Sequence, residues 1–373
     1  MHSRPLVRPS PLLPFVLLVV TLLLSSMCIG NSAALPETTA LPETTARTTA
    51  STSTTAQAPV LMRPSQPVLH DIPKFVFIKT HKTGSSSISI MLGYAIEKRG
   101  MKPAVPCSLA FGYPHDWRSF THSLCGRDKL NFTGVISHLR WTEVTRNTLL
   151  PVMGPEKPVI FTIARDPISR FISAVRFYGN QEFRTLTNWT GTATDEWMRF
   201  ALEQLSKESV REQIPGFMPQ WHLIGYAFDF GLQDEYEPEP TEAFYSAAKK
   251  FIDSLDFVLL YEEWDLSMAI LKEHLKLSLH DVIYPHLKKT GRSQVELSPQ
   301  TRELFCKVLW SDCVLFDLMK QRFRNTIDQH LLREARAIQG INKLAHERGE
   351  VPDFEDEPKY YEHLRETFGG INP

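Results

Sequence analysis

Two short stretches of this chain carry residue types that bind and move anionic groups. The first is Lys79-Thr80-His81-Lys82-Thr83-Gly84-Ser85-Ser86-Ser87, set between an apolar tetrapeptide and an amphipathic segment. Backbone N–H groups at a helix N-terminus bind anions, glycine admits close approach, and Lys82 adds charge. The stretch lacks the GxxxxGK[ST] pattern of a Walker A loop, because its lysine precedes the glycine. Taken alone it reads nearly as well as an ordinary strand-to-helix turn with a serine cap. The second stretch runs from Ile163 to Ser173 (IARDPISRFIS). It puts Arg165 at a strand end and Ser173 on a helical face with Ser169 and Arg176. Arg165 and Ser173 can then reach one ligand group from the sheet edge and from the helix; the alternative is an Arg165 paired with a surface carboxylate. Together the two loops favour an anion-binding site.

Such loops need a scaffold, and the hydrophobic pattern supplies one. Phe75 to Ile78 is a short apolar run, followed after the first loop by Ile88, Met91, Leu92, Ala95 and Ile96. That spacing is one face of a helix that stops at Gly100. Val135 to Ser137, Val159 to Ile163 and Phe257 to Leu260 are further strand candidates. Asp166-Pro167 reads as N-cap and first residue of a helix with Ile168, Phe171, Ile172 and Val175 inward. Phe244, Ala247, Ala248, Phe251 and Leu255 form another helical stripe, and Asp265 is placed to cap the helix after it. Short strands alternating with helices predict an α/β fold with a central parallel sheet covered on both faces. Ligands in such sheets bind beyond the carboxyl ends of the strands, so the loops after Lys79, Ser137 and Ala164 form the expected site.

Composition sets the class. The 373 residues are 42% apolar, and 41 Lys plus Arg balance 42 Asp plus Glu. That balance argues against a nucleic-acid coating protein, so anion binding must come from a few placed basic residues. The five cysteines contain no CxxC pair, the chain has no HExxH, and its histidines are scattered, so no metal site is expected. Arg4 and Arg8 precede an uncharged run beginning at Leu12, which predicts a cytoplasmic tail (1–11) and a signal-anchor helix (12–30). A cleaved signal peptide, cut among Asn31 to Ala34, is the alternative. Residues 34–46 read ALPETTALPETTA and a Ser/Thr run follows, the composition of a glycosylated stem (31–70). The globular domain is expected over 71–348, with an acidic tail over 349–373. Sequons stand at Asn131 and Asn188.

At this point the chain resembles a known family. FIKTHKTGSSS looks like the 5′-phosphosulfate loop of Golgi carbohydrate sulfotransferases, and ARDPISRFISA like their 3′-phosphate segment. KTHKTGSSS, SHLRW and the region DFVLLYEEWDLSMAILK look most like the galactose 3-O-sulfotransferases, over about Phe75 to Arg324. The resemblance implies a P-loop-like sulfotransferase fold and a type II single-pass Golgi membrane protein. It implies 3′-phosphoadenosine 5′-phosphosulfate (PAPS) as sulfuryl donor, without a metal. The implied acceptor is the 3-hydroxyl of a galactose on a glycolipid or glycoprotein. A uronic acid 2-hydroxyl, a nucleotide kinase and a non-catalytic stalked glycoprotein are the competing readings. By matching position, Lys82, Thr83, Gly84, Ser85 and Ser86 are expected to hold the 5′-phosphosulfate, and Arg165 and Ser173 the 3′-phosphate. Lys82 is expected to stabilise the departing phosphate, and His138 to take the acceptor proton, with Glu143 as the second candidate base. Tyr178, Trp221 and Trp264 are candidates for stacking on a sugar, and Lys288, Lys289 and Arg292 for closing over the nucleotide. Core packing and plain solvation are the simpler readings of these six. Four lumenal cysteines permit three pairings. Cys107–Cys125 with Cys306–Cys313 is expected, the second requiring a helix break that Ser311-Asp312 could cap.

Overall fold

The computed structural model describes residues 71–108, 110–111, 120–125, 130–179, 181–214, 223–284, 295–349 and 357–368. The expected tail, anchor and stem lie outside them, as do Trp221, Lys288, Lys289 and Arg292. Among the described residues no helix is long and apolar enough to cross a membrane.

Four strands form one parallel sheet: β1 (Phe75–Ile78), β2 (Gly134–Val135), β3 (Val159–Ala164) and β4 (Phe257–Leu260), in the order β2-β1-β3-β4. The sequences FVFI, VIFTIA and FVLL are near-continuous apolar runs, as strands covered on both faces require. All of β1 and β4 is buried. The register stacks Phe161 on Phe77 at 5.1 Å and on Phe257 at 4.6 Å between ring centroids. The chain leaves β1 for β2 on one side and leaves the adjacent β3 for β4 on the other. The carboxyl ends of β1 and β3 therefore flank a topological switch point, the place where open α/β sheets bind ligands.

Helices around the sheet include α1 (Ser85–Glu97), α2 (Glu143–Leu149), α3 (Pro167–Tyr178), α4 (Asp195–Leu205), α5 (Gly225–Asp229), α6 (Glu242–Ser254), α7 (Trp264–Leu275), α8 (Pro299–Val308), α9 (Trp310–Thr326), α10 (Gln329–Arg348) and α11 (Glu357–Phe368). Asp166 caps α3 as the sequence predicts, its carboxylate accepting the Ser169 N–H at 2.9 Å ahead of Pro167. Asp265 is not a cap. Helix α7 begins one residue earlier, and the Asp265 carboxylate accepts from the Tyr284 hydroxyl at 3.1 Å. Both expected disulfides form, and the helix break that the second requires falls at Leu309 (φ −103°, ψ 44°). Ser311-Asp312 is not the cap of α9, because the Asp312 carboxylate turns inward to Arg170 and to the Tyr226 N–H. Within the stretch read as an acidic tail, α11 buries Tyr360, Tyr361 and Leu364. Its Tyr361 hydroxyl donates to the Ile136 carbonyl at 2.8 Å, and Tyr360 donates to Glu97 on α1.

Candidate active site

The loop between β1 and α1 is shaped largely by its own side chains. The Thr80 hydroxyl donates to the Ile163 carbonyl of β3 at 2.7 Å, tying the loop to the next strand. The Ser85 hydroxyl donates to the Thr80 carbonyl at 2.6 Å, and the Thr83 hydroxyl to the same carbonyl at 3.2 Å. Thr83 and Ser85 are buried, so what they offer a ligand is backbone N–H at the head of α1. Two of three successive residues are left-handed: Lys82 at φ 63° and Gly84 at φ 83°. A Cβ on Gly84 would lie 2.7 Å from the Tyr261 ring, so both space and backbone require glycine. Lys82 gains no such relief, and its conformation costs about 1–2 kcal/mol. The Lys82 ammonium sits 3.7 Å from the centroid of the exposed Phe177 ring.

The first lysine of the loop, given no role on sequence grounds, lies deepest. Lys79 is 1% exposed, with Nζ 2.9 Å from His138 Nε2, 3.4 Å from Ser85 Oγ and 3.5 Å from Ser86 Oγ. An ammonium can only donate, so Nε2 is the acceptor and Nδ1, 3.1 Å from the Lys79 carbonyl, is the donor. His138 thus carries its proton on Nδ1. Withdrawal from water, and then the charges of His81 and Lys79, hold its pKa well below the ordinary histidine value. The His81 ring stacks on it, centroids 3.9 Å apart and planes 16° apart. Asp229 orients His81 by accepting its backbone N–H and its Nδ1–H, each at 2.9 Å. In the neutral ring this leaves Nε2 with the lone pair.

The second loop joins the first at Arg165. Its Nη1 donates to the Lys82 carbonyl at 3.1 Å, and its guanidinium lies 4.5 Å over the Tyr261 ring. Arg165 Nε is buried and has no partner. The Arg165 backbone is held by the Tyr226 hydroxyl, and the Asp166 N–H donates to Glu262 at 2.8 Å. Burial pushes the Glu262 carboxyl above its ordinary value. Ser173 is half-buried on α3, four residues before Phe177 and therefore on the face that meets Lys82.

The structure thus gathers Lys82, Thr83, Gly84, Ser85, Ser86, Arg165 and His138 at the carboxyl ends of β1, β2 and β3. Glu143 stands apart as an exposed carboxylate in the first turn of α2, where it meets the positive end of the helix. Tyr178 lies tilted 6.0 Å from His81, and Trp264 is half-buried edge-on to Tyr261 and Tyr284. Among the described residues no group of three or more His, Cys, Asp or Glu is arranged to hold a metal ion. Sequence reasoning missed Lys79, His81, Tyr226, Asp229, Tyr261 and Glu262. Lys79 and His81 were within reach, since both stand in the quoted loop. Tyr261 and Glu262 stand in the stretch DFVLLYEEWDLSMAILK that the resemblance already marks, while Tyr226 and Asp229 come from a distant segment without a motif.

Comparison with known proteins identifies the family. The galactose-3-O-sulfotransferase family model matches residues 8–357. Human (Homo sapiens) galactose-3-O-sulfotransferase 3 is 24% identical over 296 residues, covering 76% of this chain and 63% of that protein. The bovine (Bos taurus) galactose-3-O-sulfotransferase 3 is 25% identical over 63% of this chain and 54% of its own length. Human galactosylceramide sulfotransferase is 29% identical over 59% of this chain and 49% of its own length. The chain spans less than two thirds of the length of each of these relatives. On the extent of the family match, the chain belongs to the galactose-3-O-sulfotransferase family.

Proposed function

We propose that the protein transfers the sulfuryl group of PAPS to a carbohydrate hydroxyl, the 3-hydroxyl of a galactose on a glycolipid or glycoprotein. The observation that carries this reading is the bond from Arg165 Nη1 to the Lys82 carbonyl, which makes one site of two separate basic loops. A donor with phosphate at both its 3′ and 5′ ends fits that pairing. The orphaned Arg165 Nε offers a donor for the 3′-phosphate, and Ser173 on α3 is the second residue proposed to hold it. Gly84, at φ 83°, turns the chain into the head of α1, where Lys82, Thr83, Gly84, Ser85 and Ser86 would hold a phosphosulfate through the N–H groups there. The family and the names of its members support a galactose acceptor.

PAPS, when bound, supplies an activated sulfuryl group, and the chain supplies charge and proton handling. Lys82, moving from the Phe177 ring, stabilises the charge developing on the leaving phosphate oxygen. His138, kept neutral, takes the acceptor proton at Nε2. Lys79 now donates to that atom and must yield it, with the Ser85 and Ser86 hydroxyls as its remaining near partners. No metal enters this reading, because the nucleotide product leaves as a stable anion.

The same reading places the catalytic domain in the Golgi lumen behind an uncleaved anchor (12–30) and stem (31–70). Arg4 and Arg8 before the apolar run, two disulfides and exposed Asn131 and Asn188 support it. N-terminal sequencing tests the anchor: a mature start near Ala33 or Ala34 would show cleavage. The activity is tested by incubating the full-length protein with labelled PAPS and a panel of galactose- and uronic-acid-terminated glycans. Label on the galactose 3-hydroxyl is expected. PAP, the desulfonated product, should stabilise the protein by about 2.7 kcal/mol at 100-fold above its Kd. Equal thermal shifts from ATP and PAP, with no glycan labelled, would overturn the proposal.

A further inference from the structure

One short helix that belongs to neither ligand loop touches both. From α5, the Tyr226 hydroxyl accepts the Arg165 N–H at 2.7 Å and donates to the Arg165 carbonyl at 2.7 Å. It does for Arg165 what a neighbouring strand would do, just where β3 has ended. Three residues on, Asp229 holds the backbone and ring of His81. The helix also reaches the segment after β2: the Asp229 carbonyl accepts the Trp141 N–H at 2.9 Å, and the Phe228 carbonyl accepts from Arg140 Nε at 3.0 Å. Three loops from three strands are thus tied to five residues.

The helix is itself fixed from behind. Asp312, next to the Cys306–Cys313 disulfide, accepts the Tyr226 N–H at 2.9 Å and binds the Arg170 guanidinium of α3. Gly225 lets that guanidinium pack against α5, since a Cβ there would lie 2.2 Å from Arg170 Nη1. Tyr226, Asp229, Arg170 and Asp312 are each no more than 1% exposed. Burial drives the Tyr226 phenol far above its ordinary range, so it remains a donor at working pH.

We infer that α5 is a brace that sets the spacing of the donor site, with Tyr226 and Asp229 as positioning residues that act through Arg165 and His81. This rests on the reading of Arg165 as the 3′-phosphate ligand. A guanidinium aimed at a phosphate is only as well placed as its own peptide, and both polar groups of that peptide depend on one phenol. Tyr226 therefore governs affinity for the 3′-phosphate, and Asp229 governs the orientation of the imidazole beside the transfer site.

The test compares PAP with adenosine 5′-phosphosulfate, which lacks the 3′-phosphate, by calorimetry on the full-length protein, together with kcat. Tyr226→Phe should weaken PAP about tenfold and leave adenosine 5′-phosphosulfate within twofold of wild type. Asp229→Asn should lower kcat at unchanged PAP affinity. Wild-type protein that binds PAP no better than adenosine 5′-phosphosulfate would overturn the 3′-phosphate reading of Arg165 and this inference with it. A wild-type preference that survives intact in Tyr226→Phe would overturn this inference alone, as would an equal loss of both ligands. Wild-type turnover in Asp229→Asn would remove the His81 half. Should Tyr226→Phe fail to fold, amide exchange on the wild-type protein decides: the Arg165 amide should be protected without ligand, and fast exchange there would overturn the brace.

Discussion

The two ligand loops reach their shapes by opposite routes. The loop after β1 is shaped largely from within: Thr80, Thr83 and Ser85 bond inside it and two left-handed residues bend it around the head of α1, with Ile163 and Asp229 as its outside anchors. The loop after β3 has one internal device, the Asp166 cap of α3, and is otherwise held from outside by Tyr226 and Glu262. The first can be read locally because its side chains are its scaffold. The second shows Arg165, the residue proposed to hold the 3′-phosphate, but hides what aims it. The loops should therefore fail differently when cut. Damage to the first strikes the chemistry and the fold together, while damage to the second strikes affinity for one end of the donor.

The largest effects are expected where the first loop meets the proton. His138→Ala should lose ~10²–10⁴ in kcat with PAP affinity near wild type, measured by steady-state kinetics and calorimetry. Lys82→Ala should lose ~10²–10³ in kcat and weaken the donor as well, because its charge acts on the phosphosulfate. If a folded His138→Ala protein turns over normally, the base is His81, whose ring is oriented by Asp229, and not the exposed Glu143. A large loss of PAP affinity in His138→Ala would instead make that ring part of the donor site.

What the sequence made legible follows the same division. The strands Phe75–Ile78 and Phe257–Leu260 were read to the residue, because unbroken apolar runs admit little else in a parallel sheet. Lys82, Gly84, Arg165 and His138 were legible because each stands at a strand end or helix start that the pattern marks. Lys79 was not, because nothing in the string says that a lysine closing a buried strand turns toward an imidazole 59 residues away. Asp229 lies 148 residues from His81, and Tyr226 lies 61 from Arg165, each in a segment without periodicity or motif. Asp265 and Asp312 looked like caps by type and position, but buried tertiary partners claimed both carboxylates. The stretch after Glu350 looked like a tail because its acidic residues masked three apolar positions that α11 buries.

Next in size is the second loop. Arg165→Ala should weaken PAP ~10–100-fold, the range for losing a hydrogen bond to a charged group, and leave adenosine 5′-phosphosulfate nearly untouched. A matched loss of both ligands would show that Arg165 supports the first loop through the Lys82 carbonyl more than it binds phosphate. Smaller still is the backbone test. Gly84→Ala adds a Cβ 2.7 Å from Tyr261 and strains a φ of +83°, so about 1–3 kcal/mol of stability should go, read by denaturant unfolding. An unchanged midpoint would mean that the first loop is not the tightly determined element described above.

The smallest expected effect is on stability against pH, and it belongs to the first loop. His138 resists protonation in the fold because it is withdrawn from water and faces His81, Lys79 and Lys82. The unfolded chain takes up that proton near the ordinary value of ~6.5. Below that pH the unfolded state therefore binds more protons than the native state. The contribution is complete above about pH 6.5 and declines as pH falls, by at most ~1.4 kcal/mol per pH unit for one proton. His274, also lowered by burial, adds a slope of the same sign. In the second loop the Tyr226 phenol stays protonated throughout, while Glu262, raised by burial, binds its proton more readily in the fold and adds a slope of the opposite sign. Thermal unfolding from pH 7 to 5.5 should accordingly show a falling Tm in wild type and a shallower fall in His138→Gln, with the His274 share remaining. Identical slopes in the two proteins would mean that His138 takes up its proton in the fold as readily as in water, and that the buried Lys79–His138 contact does not hold the ring neutral.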